Sequence, residues 1–281
     1  MGKRQSRPWI VSDELWSLIE PLLPEPAPKQ AEGRPRVPDR QALCGILFVL
    51  HTGIQWEYLP QELGFGSGMT CWRRLAAWNA AGVWDQLHLV LLEKLRAAKK
   101  LDWSRAVIDS PRPGRSTGPK SGPSPVDRAR PGSKHHPIVD GRGIPLAVSL
   151  TGGNRNDVTQ VIPLLKKIPS VAGLVGRPRN RPDSLLGDRG YDHDKYRRLV
   201  WALGIKPVIA RRGVPHGSGL GIHHWVVERT IAWLHGFHRL RIRWERRNDI
   251  HEAFLGPATC LITHRHAQRL CCPARGLPRT R

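Results

Sequence analysis

Three acidic residues stand where folding could bring them together. Asp109 ends the short apolar run Ala106–Asp109, Asp188 ends the run Leu185–Asp188, and Glu228 lies inside a longer helical pattern. Two strand-end aspartates and one helix-borne glutamate can converge at one edge of a sheet, each on a rigid support. Carboxylate oxygens suit Mg²⁺ or Mn²⁺. Two such ions about 3.5 to 4 Å apart can activate an attacking oxygen and stabilise a leaving one in phosphodiester displacement.

Each acid taken singly also has an ordinary structural explanation. An aspartate at the end of a strand often forms a turn or caps a helix, and a lone glutamate on a basic helix is commonly an ion-pair partner. Only the trio together, in a strongly basic chain, favours the catalytic interpretation. The spacing of the acids leaves both interpretations open.

The elements that must position these acids are those of an α/β fold. From residue 101 onward, short apolar runs of strand length alternate with longer helical patterns. The predicted strands are Ala106–Asp109, Pro137–Asp140, Ile144–Leu150, Leu185–Asp188 and Pro207–Ala210. The predicted helices are Val158–Lys167, His193–Leu203 and His224 to about Arg246. The segment from Pro111 to Gly132 is rich in Pro and Gly and is predicted to be an irregular loop.

The first hundred residues have a different pattern, that of short amphipathic helices. Ser12 is a predicted N-cap, further helices are predicted over Asp39–Thr52, from near Thr70 and over Val83–Ala98, and a loop with four glycines precedes the third helix. Arg73 and Arg74 on that third helix permit a helix-turn-helix that meets DNA. A small helical bundle with merely solvated arginines explains the same residues equally well.

The charge of the chain indicates a polyanionic partner. Of 281 residues, 45 are Lys or Arg and 23 are Asp or Glu, a formal net charge of +22. Residues 1–100 carry +3 and residues 101–281 carry +19. Such an excess is typical of proteins that bind nucleic acid. The change in charge and composition predicts two domains.

Other classes of protein are disfavoured. The longest apolar run, Leu43–Leu50, is far shorter than the roughly 20 residues of a membrane-spanning helix. Basic residues at the start are not followed by the apolar core of a secretory signal, so we expect a cytoplasmic, nucleoid-associated protein with no membrane partner. The cysteines lack paired spacing and are expected to be reduced thiols rather than disulfides or zinc ligands. They are Cys44, Cys71, Cys260, Cys271 and Cys272.

Several long stretches resemble the DDE transposases of bacterial insertion sequences, with the IS-five branch as the closest group. The similar stretches are AVIDS (106–110), GPSPVDRARPGSKHH (122–136), GIPLAVSLTGGNRNDVTQ (143–160), GDRGYDHDKYRR (187–198), KPVIARRG (206–213) and WVVERTIAWLHGFHRLRIRWERR (225–247). The first hundred residues also look like the helical N-terminal domain of that branch. The resemblance therefore covers nearly the whole chain.

The resemblance implies a fold and an activity. The fold would be an α/β, RNase H-like mixed sheet flanked by helices (residues 101–255), preceded by a small all-α, helix-turn-helix-like DNA-binding domain (1–100) and followed by a basic tail of uncertain structure (256–281). The enzyme would cut double-stranded DNA at transposon ends and join the freed 3′-OH to target DNA. Its catalytic and metal-binding residues would be Asp109, Asp188 and Glu228 with Mg²⁺ or Mn²⁺, two ions in all, and it would act as a homo-oligomer on DNA.

Basic residues near the acids are candidates for phosphate contacts. On a helix, His224 and His235 lie four residues before and seven after Glu228, which places them on the same face. Arg229 lies one residue round from that face and could instead pair with Glu245. The full set of predicted DNA-binding residues is Arg73, Arg74, Lys134, His135, His136, Arg189, His224, Arg229, His235, Arg239, Arg241 and Arg243.

Two patches depart from the family pattern. The residues after Asp109 (Pro111 to Arg115) and the segment from Gly256 onward do not match it. Two alternatives to a working transposase are therefore kept: a metal-dependent nuclease that cuts without joining, and a repurposed transposase that only binds DNA.

Overall fold

The computed structural model describes residues 7–26, 35–110, 114–115, 122–123, 131–213, 221–241, 244–245 and 247–271. Among these residues, no helix is both long enough and apolar enough to cross a membrane.

Four helices make up the N-terminal region: α1 (Asp13–Ile19), α2 (Asp39–Thr52), α3 (Gly68–Ala80) and α4 (Val83–Ala97). Ser12 caps α1, as predicted, since its Oγ accepts a hydrogen bond from the backbone N–H of Leu15. Ser67 caps α3 in the same way through the N–H of Thr70. The predicted amphipathic helices therefore form, with boundaries within about two residues of those expected.

A mixed sheet follows. Its strands are β1 (Ala106–Ile108), β2 (Gly114–Arg115), β3 (Gly122–Pro123), β4 (Pro131–Asp140), β5 (Pro145–Gly152), β6 (Ser184–Gly187) and β7 (Lys206–Ile209). The main strand order is β5-β4-β1-β6-β7; the β5-β4 and β4-β1 pairs are antiparallel, while β1-β6 and β6-β7 are parallel. The prediction of an α/β fold with a mixed sheet flanked by helices is confirmed.

The prediction of an irregular loop from Pro111 to Gly132 was wrong in part. β2 and β3 pair with the beginning of β4, which starts at Pro131 rather than Pro137. Gly and Pro disfavour strands in general, but the backbone of Gly132 and Ser133 still pairs with neighbouring strands at this end of the sheet.

The remaining helices are α5 (Val161–Lys167), α6 (Asp194–Ala202), α7 (Gly221–Gly236), α8 (His238–Arg241) and α9 (Asn248–Cys271). The prediction of a single helix from His224 to about Arg246 was wrong about where the helix ends. It stops at Gly236, and the short α8 follows. Glycine has the poorest helix propensity after proline, which makes Gly236 a natural end point.

Helix α9 passes through residue 255, where the sequence had placed a domain boundary, and packs on α4. At the contact, a Cβ added to Gly256 would lie 2.6 Å from Cβ of Trp84, so only glycine permits this approach. The Sγ of Cys260 donates to the carbonyl of Trp84 at 3.3 Å. Residues 256–271 are therefore an ordered part of the fold.

The N-terminal helices and the C-terminal helices share one core. It contains Leu50, Trp78 and Leu87 from the first hundred residues together with Phe237 and Phe254. Cys44, Cys71 and Cys260 are buried thiols in this core. The division into residues 1–100, 101–255 and 256–281 stays a prediction.

Candidate active site

Asp109 and Asp188 follow two neighbouring parallel strands at the same level. The register of β1 and β6 pairs Val107 with Leu186, and continuing it by two residues sets Asp109 opposite Asp188. Because parallel strands end at the same edge of a sheet, both aspartates are delivered to one place.

The carboxylate of Asp109 is half-buried, and its Oδ1 accepts a hydrogen bond from the backbone N–H of Ser110 at 2.7 Å. Burial raises the pKa of Asp109, while the Ser110 hydrogen bond and the nearby His224 lower it. The charges of Asp188 and Glu228 raise the pKa of Asp109 further. Residues far apart in the chain therefore act on one carboxyl group.

Asp188 is exposed and caps a short 3₁₀ turn, Arg189–Tyr191, since its Oδ1 accepts from the N–H of Gly190 at 2.9 Å. A Cβ at position 190 would lie only 2.9 Å from that oxygen. Glycine at 190 therefore lets the carboxylate fold back onto the turn.

Tyr191 is the last residue of this turn and was missed by the sequence analysis. Its side chain is buried, and burial raises the pKa of its phenol, as do the charges of Asp157, Asp109 and Asp188. Its place in the motif DRGY, three residues after an expected catalytic acid, was the available signal.

Glu228 reaches the site from α7. Val226, Val227 and Ile231 of that helix pack on Val107, Val139 and Leu186 of the sheet. Because Val107 and Leu186 are the register pair two residues before the aspartates, this packing places Glu228 over the strand ends. The side chain of Glu228 is 65% exposed. Its Oε1 lies 3.2 Å from Nδ1 of His224 and accepts a hydrogen bond from the imidazole N–H.

The helix is also fixed to the β4-β5 turn. The hydroxyl of Thr230 donates to the carbonyl of Gly143 at 2.7 Å, and Arg229 donates to the carbonyl of Arg142 at 2.6 Å. Arg229 is further held between two rings, with its guanidinium 4.5 Å from the centre of Trp225 and 4.9 Å from that of Trp233. The alternative that Arg229 pairs with Glu245 was wrong.

The three acids share an electrostatic environment but do not close into a metal shell. Within the described parts of the chain, no three His, Cys, Asp or Glu side chains approach closely enough to enclose a metal ion. The donor set still fits a hard cation, since it consists of carboxylate oxygens and the charges of Asp188 and Glu228 raise the pKa of Asp109. A bound cation would relieve that repulsion.

Several predicted DNA contacts are instead internal. Arg239 is buried, forms an ion pair with Glu245 and donates to the carbonyl of Ile54 at 2.7 Å. Arg74 forms an ion pair with Asp39 and donates to the carbonyl of Val37 at 3.1 Å. The predictions that Arg239 and Arg74 contact DNA were wrong. Each guanidinium is already bound to a carboxylate and to a backbone carbonyl group of the protein.

The predicted basic group at 134–136 is also internal. Nζ of Lys134 lies 2.9 Å from Oδ1 of Asp157, and His136 is fully buried with Nε2 2.7 Å from the hydroxyl of Thr151. His135 is buried as well, and burial lowers its pKa well below the ordinary value. Strand β4 is covered here, so these side chains face the interior rather than DNA.

His235 turns toward this buried group. Its ring centre lies 6.1 Å from that of His135, which in turn stacks on His251 at 5.8 Å. Burial lowers the pKa of His235, and the charge of Arg241 lowers it further. His224 lies on the same face as Glu228, as predicted, and contacts that carboxylate. The buried surroundings of His235 do not favour the predicted phosphate contact.

The other predicted contacts have different surroundings. Arg73 and Arg241 are exposed, and Arg189 is half-buried in the turn after Asp188. Arg243 lies outside the described residues.

Comparison with known proteins adds an independent line of evidence. Residues 101–262, more than half of the chain, match the family model "Transposase DDE domain", and residues 11–88 match "Putative transposase of IS4/5 family". The chain is 60% identical over 158 residues to the "Putative transposase for insertion sequence element IS402" of Burkholderia cepacia, covering 56% of this chain and 74% of that protein.

A second Burkholderia cepacia protein, "Insertion element IS402 uncharacterized 16.2 kDa protein", is 61% identical over 103 residues, which is 36% of this chain and 70% of that protein. No solved structure shows a significant match to the chain.

Proposed function

The chain belongs to the DDE transposases of the IS4/IS5 type, and we propose that Asp109, Asp188 and Glu228 are its catalytic acids. As a member of this family it is a DNA transposase, an enzyme of the nuclease and strand-transferase type. The observation that carries the assignment of the acids is geometric: the register of β1 and β6 sets Asp109 opposite Asp188, and α7, which bears Glu228, packs on Val107 and Leu186 of those strands.

The finer fold assignment is RNase H-like. It is supported by an antiparallel unit, β5-β4-β1, extended by the parallel strands β6 and β7, with helices between the parallel strands. The acids then lie after β1, after β6 and on α7, which is the order expected from the resemblance.

DDE transposase domains generally depend on divalent metal, and we assign two Mg²⁺ or Mn²⁺ ions to this site. When bound, such a pair activates the attacking oxygen and stabilises the leaving oxygen of the phosphodiester. Asp109 and Asp188 would hold the ions from the sheet and Glu228 from α7.

The protein's own groups prepare this site. The N–H groups of Ser110 and Gly190 each hold one oxygen of the adjacent aspartate, which fixes both carboxylates before substrate arrives. His224 holds Oε1 of Glu228 in the same way. Among the predicted DNA-binding residues, we assign phosphate contacts to Arg73, Arg189 and Arg241. The N-terminal helices then form part of the DNA-binding surface.

The partners follow from the reaction. The substrate of a transposase is DNA, and we assign the double-stranded ends of the insertion sequence and target DNA. Joining two ends requires both to be held at once, which supports a homo-oligomer. The nuclease and binding-only alternatives are not favoured by the comparisons.

Cleavage of the insertion sequence's own ends tests the proposal. Wild type should release a 3′-OH end in Mg²⁺ and join it to a target plasmid, whereas Asp188→Asn should do neither while binding the same duplex equally well. Asp194→Asn, in the first turn of α6, is the matched control and should behave as wild type. Equal cleavage by wild type and Asp188→Asn would contradict the assignment, and nicking without joining by wild type would restore the nuclease alternative.

A further inference from the structure

The segment between α5 and β6 carries an exposed apolar tip beside arginines. Leu174 is 41% exposed and Val175 is fully exposed, at 107%. Arg177, Arg179 and Arg181 follow at alternate positions. We name residues 172–181 the arginine loop. Adjacent exposed aliphatic side chains rimmed by arginines make this loop a candidate binding surface.

The arginine loop is held in a fixed shape by its own backbone and by α4. Val171 and Arg179 exchange both backbone hydrogen bonds, at 3.0 and 2.9 Å. The buried guanidinium of Arg96 donates to the carbonyl of Val171 and, at 3.1 Å, to that of Arg177. Burying a cation is costly unless it is hydrogen-bonded, and here two carbonyl groups, at the base of the loop and within it, accept hydrogen bonds from Arg96.

The base of the loop is packed against the last turns of α4. A Cβ added to Gly173 would lie 2.6 Å from the carbonyl oxygen of Glu93, and Gly173 has a φ of +110°, so this position requires glycine. Oε1 of Glu93 accepts from the N–H of Ala172 at 3.3 Å. The base of the loop is therefore fixed on α4, which lowers the entropy cost of binding.

The charges around the loop are mostly positive and not all are neutralised. Arg179 pairs with Asp183 and stacks over Trp103 at 5.6 Å, and Arg181 donates to the carbonyl of Leu203 at 3.1 Å. Arg177 and Lys99, which follows α4, are exposed cations near the tip and the base of the loop. A partner of negative charge fits this surface.

The loop lies at the opposite end of β6 from the acids. It leads into the first residue of β6, whereas Asp188 follows the last residue. At about 3.3 Å per residue, β6 separates the two by roughly 13 Å. A ligand that touches both the loop and the acids must be longer than a nucleotide, and duplex DNA has the necessary length.

We propose that the arginine loop is a second contact surface for duplex DNA, in which Arg177 and Lys99 bind phosphates and Leu174 and Val175 pack into the minor groove. Apolar side chains beside arginines are used in this way by minor-groove binding proteins. The proposal rests on the function as a DNA transposase and adds a surface outside its catalytic site. It places contacts several base pairs away from the cut.

The test measures binding of the full chain to a fluorescent random-sequence duplex of about 30 base pairs, without metal, over a range of salt concentrations. Arg177→Ala should lower the affinity about threefold to tenfold and reduce the slope of log affinity against log salt by about 1, because one phosphate contact is lost. The double variant Leu174→Ser, Val175→Ser should weaken binding by a similar factor with an unchanged slope, since no charge is removed.

Arg198→Ala removes an exposed cation from α6 and is the control of equal charge, expected to bind as wild type. Wild-type affinity in both loop variants would overturn the proposal, as would an equal loss in Arg198→Ala, which would make the effect one of net charge. Loop variants that lose binding to phosphatidylserine vesicles but keep duplex affinity would overturn it in favour of a lipid surface.

A cleavage assay separates failure of this proposal from failure of the catalytic assignment. If only the loop proposal is wrong, the loop variants bind normally and Asp188→Asn still fails to cut. If only the catalytic assignment is wrong, Asp188→Asn cuts as well as wild type while the loop variants bind weakly.

Discussion

Nδ1 of His224 lies 3.2 Å from Oε1 of Glu228, one helical turn away on the same face of α7. This hydrogen bond orients an exposed member of the proposed three acids. Groups that orient a metal-binding carboxylate commonly contribute tenfold or more to activity.

We therefore predict that His224→Ala lowers single-turnover cleavage about tenfold while duplex affinity changes less than twofold. The neighbouring His223 accepts from Arg105 at 2.9 Å rather than contacting Glu228, so His223→Ala is a matched control. Equal losses in the two variants would show that His224 acts only through the stability of the helix.

Gly190→Ala tests the support of Asp188. The new Cβ would lie 2.9 Å from Oδ1 of Asp188, so the carboxylate must move, and we expect cleavage to fall about tenfold or more. The melting temperature should change little at this exposed position. Gly236→Ala, whose Cβ would meet nothing within 4 Å, is the control. Wild-type cleavage by Gly190→Ala would show that this carboxylate position is not needed.

The two arginines of α8 should behave in opposite ways. Arg239 is buried against Glu245, so Arg239→Ala should destabilise the protein by about 3 to 5 kcal/mol in denaturant unfolding. Arg241 is exposed, so Arg241→Ala should leave unfolding unchanged and reduce the salt slope of duplex binding by about 1. A stable Arg239→Ala variant with a reduced salt slope would restore the original prediction that Arg239 contacts phosphate.

Stability should fall in mild acid. Burial lowers the pKa of His88 and His136 from 6.5 to about 4. Between these values the unfolded chain binds protons that the folded chain excludes, so each imidazole favours unfolding as pH falls, by roughly 1.4 kcal/mol per pH unit. Urea unfolding at pH 7, 6 and 5 measures this dependence. His88→Gln should show a shallower dependence than wild type, and an identical one would exclude His88 as a contributor.

The chemistry-bearing residues were easier to predict from the sequence than their neighbours. Asp109 and Asp188 each end a short apolar run. The ends of the two strands could therefore be predicted from the sequence, because polar residues follow each run directly. The position of Glu228 followed from helical spacing and from the resemblance. The distances between the three carboxyl groups could not be predicted from the sequence, because they depend on the register of the sheet and on the packing of α7.

The basic residues show where sequence reasoning stops. In the segment containing Arg239, Arg241 and Arg243, spacing cannot reveal which cation meets Glu245 and becomes buried. Helix α9 was missed for a related reason. It is covered on several sides and contains Gly256 and Pro257, so it lacks both an amphipathic stripe and good helix propensity.

The central claim is that Asp109, Asp188 and Glu228 bind divalent metal together. Titration of Mn²⁺ followed by electron paramagnetic resonance tests it directly, with no dependence on turnover. Wild type and the control Asp183→Asn should bind Mn²⁺ alike, and Asp109→Asn, Asp188→Asn and Glu228→Gln should each weaken binding about tenfold or more. Mn²⁺ affinity equal to wild type in all three variants would contradict the account.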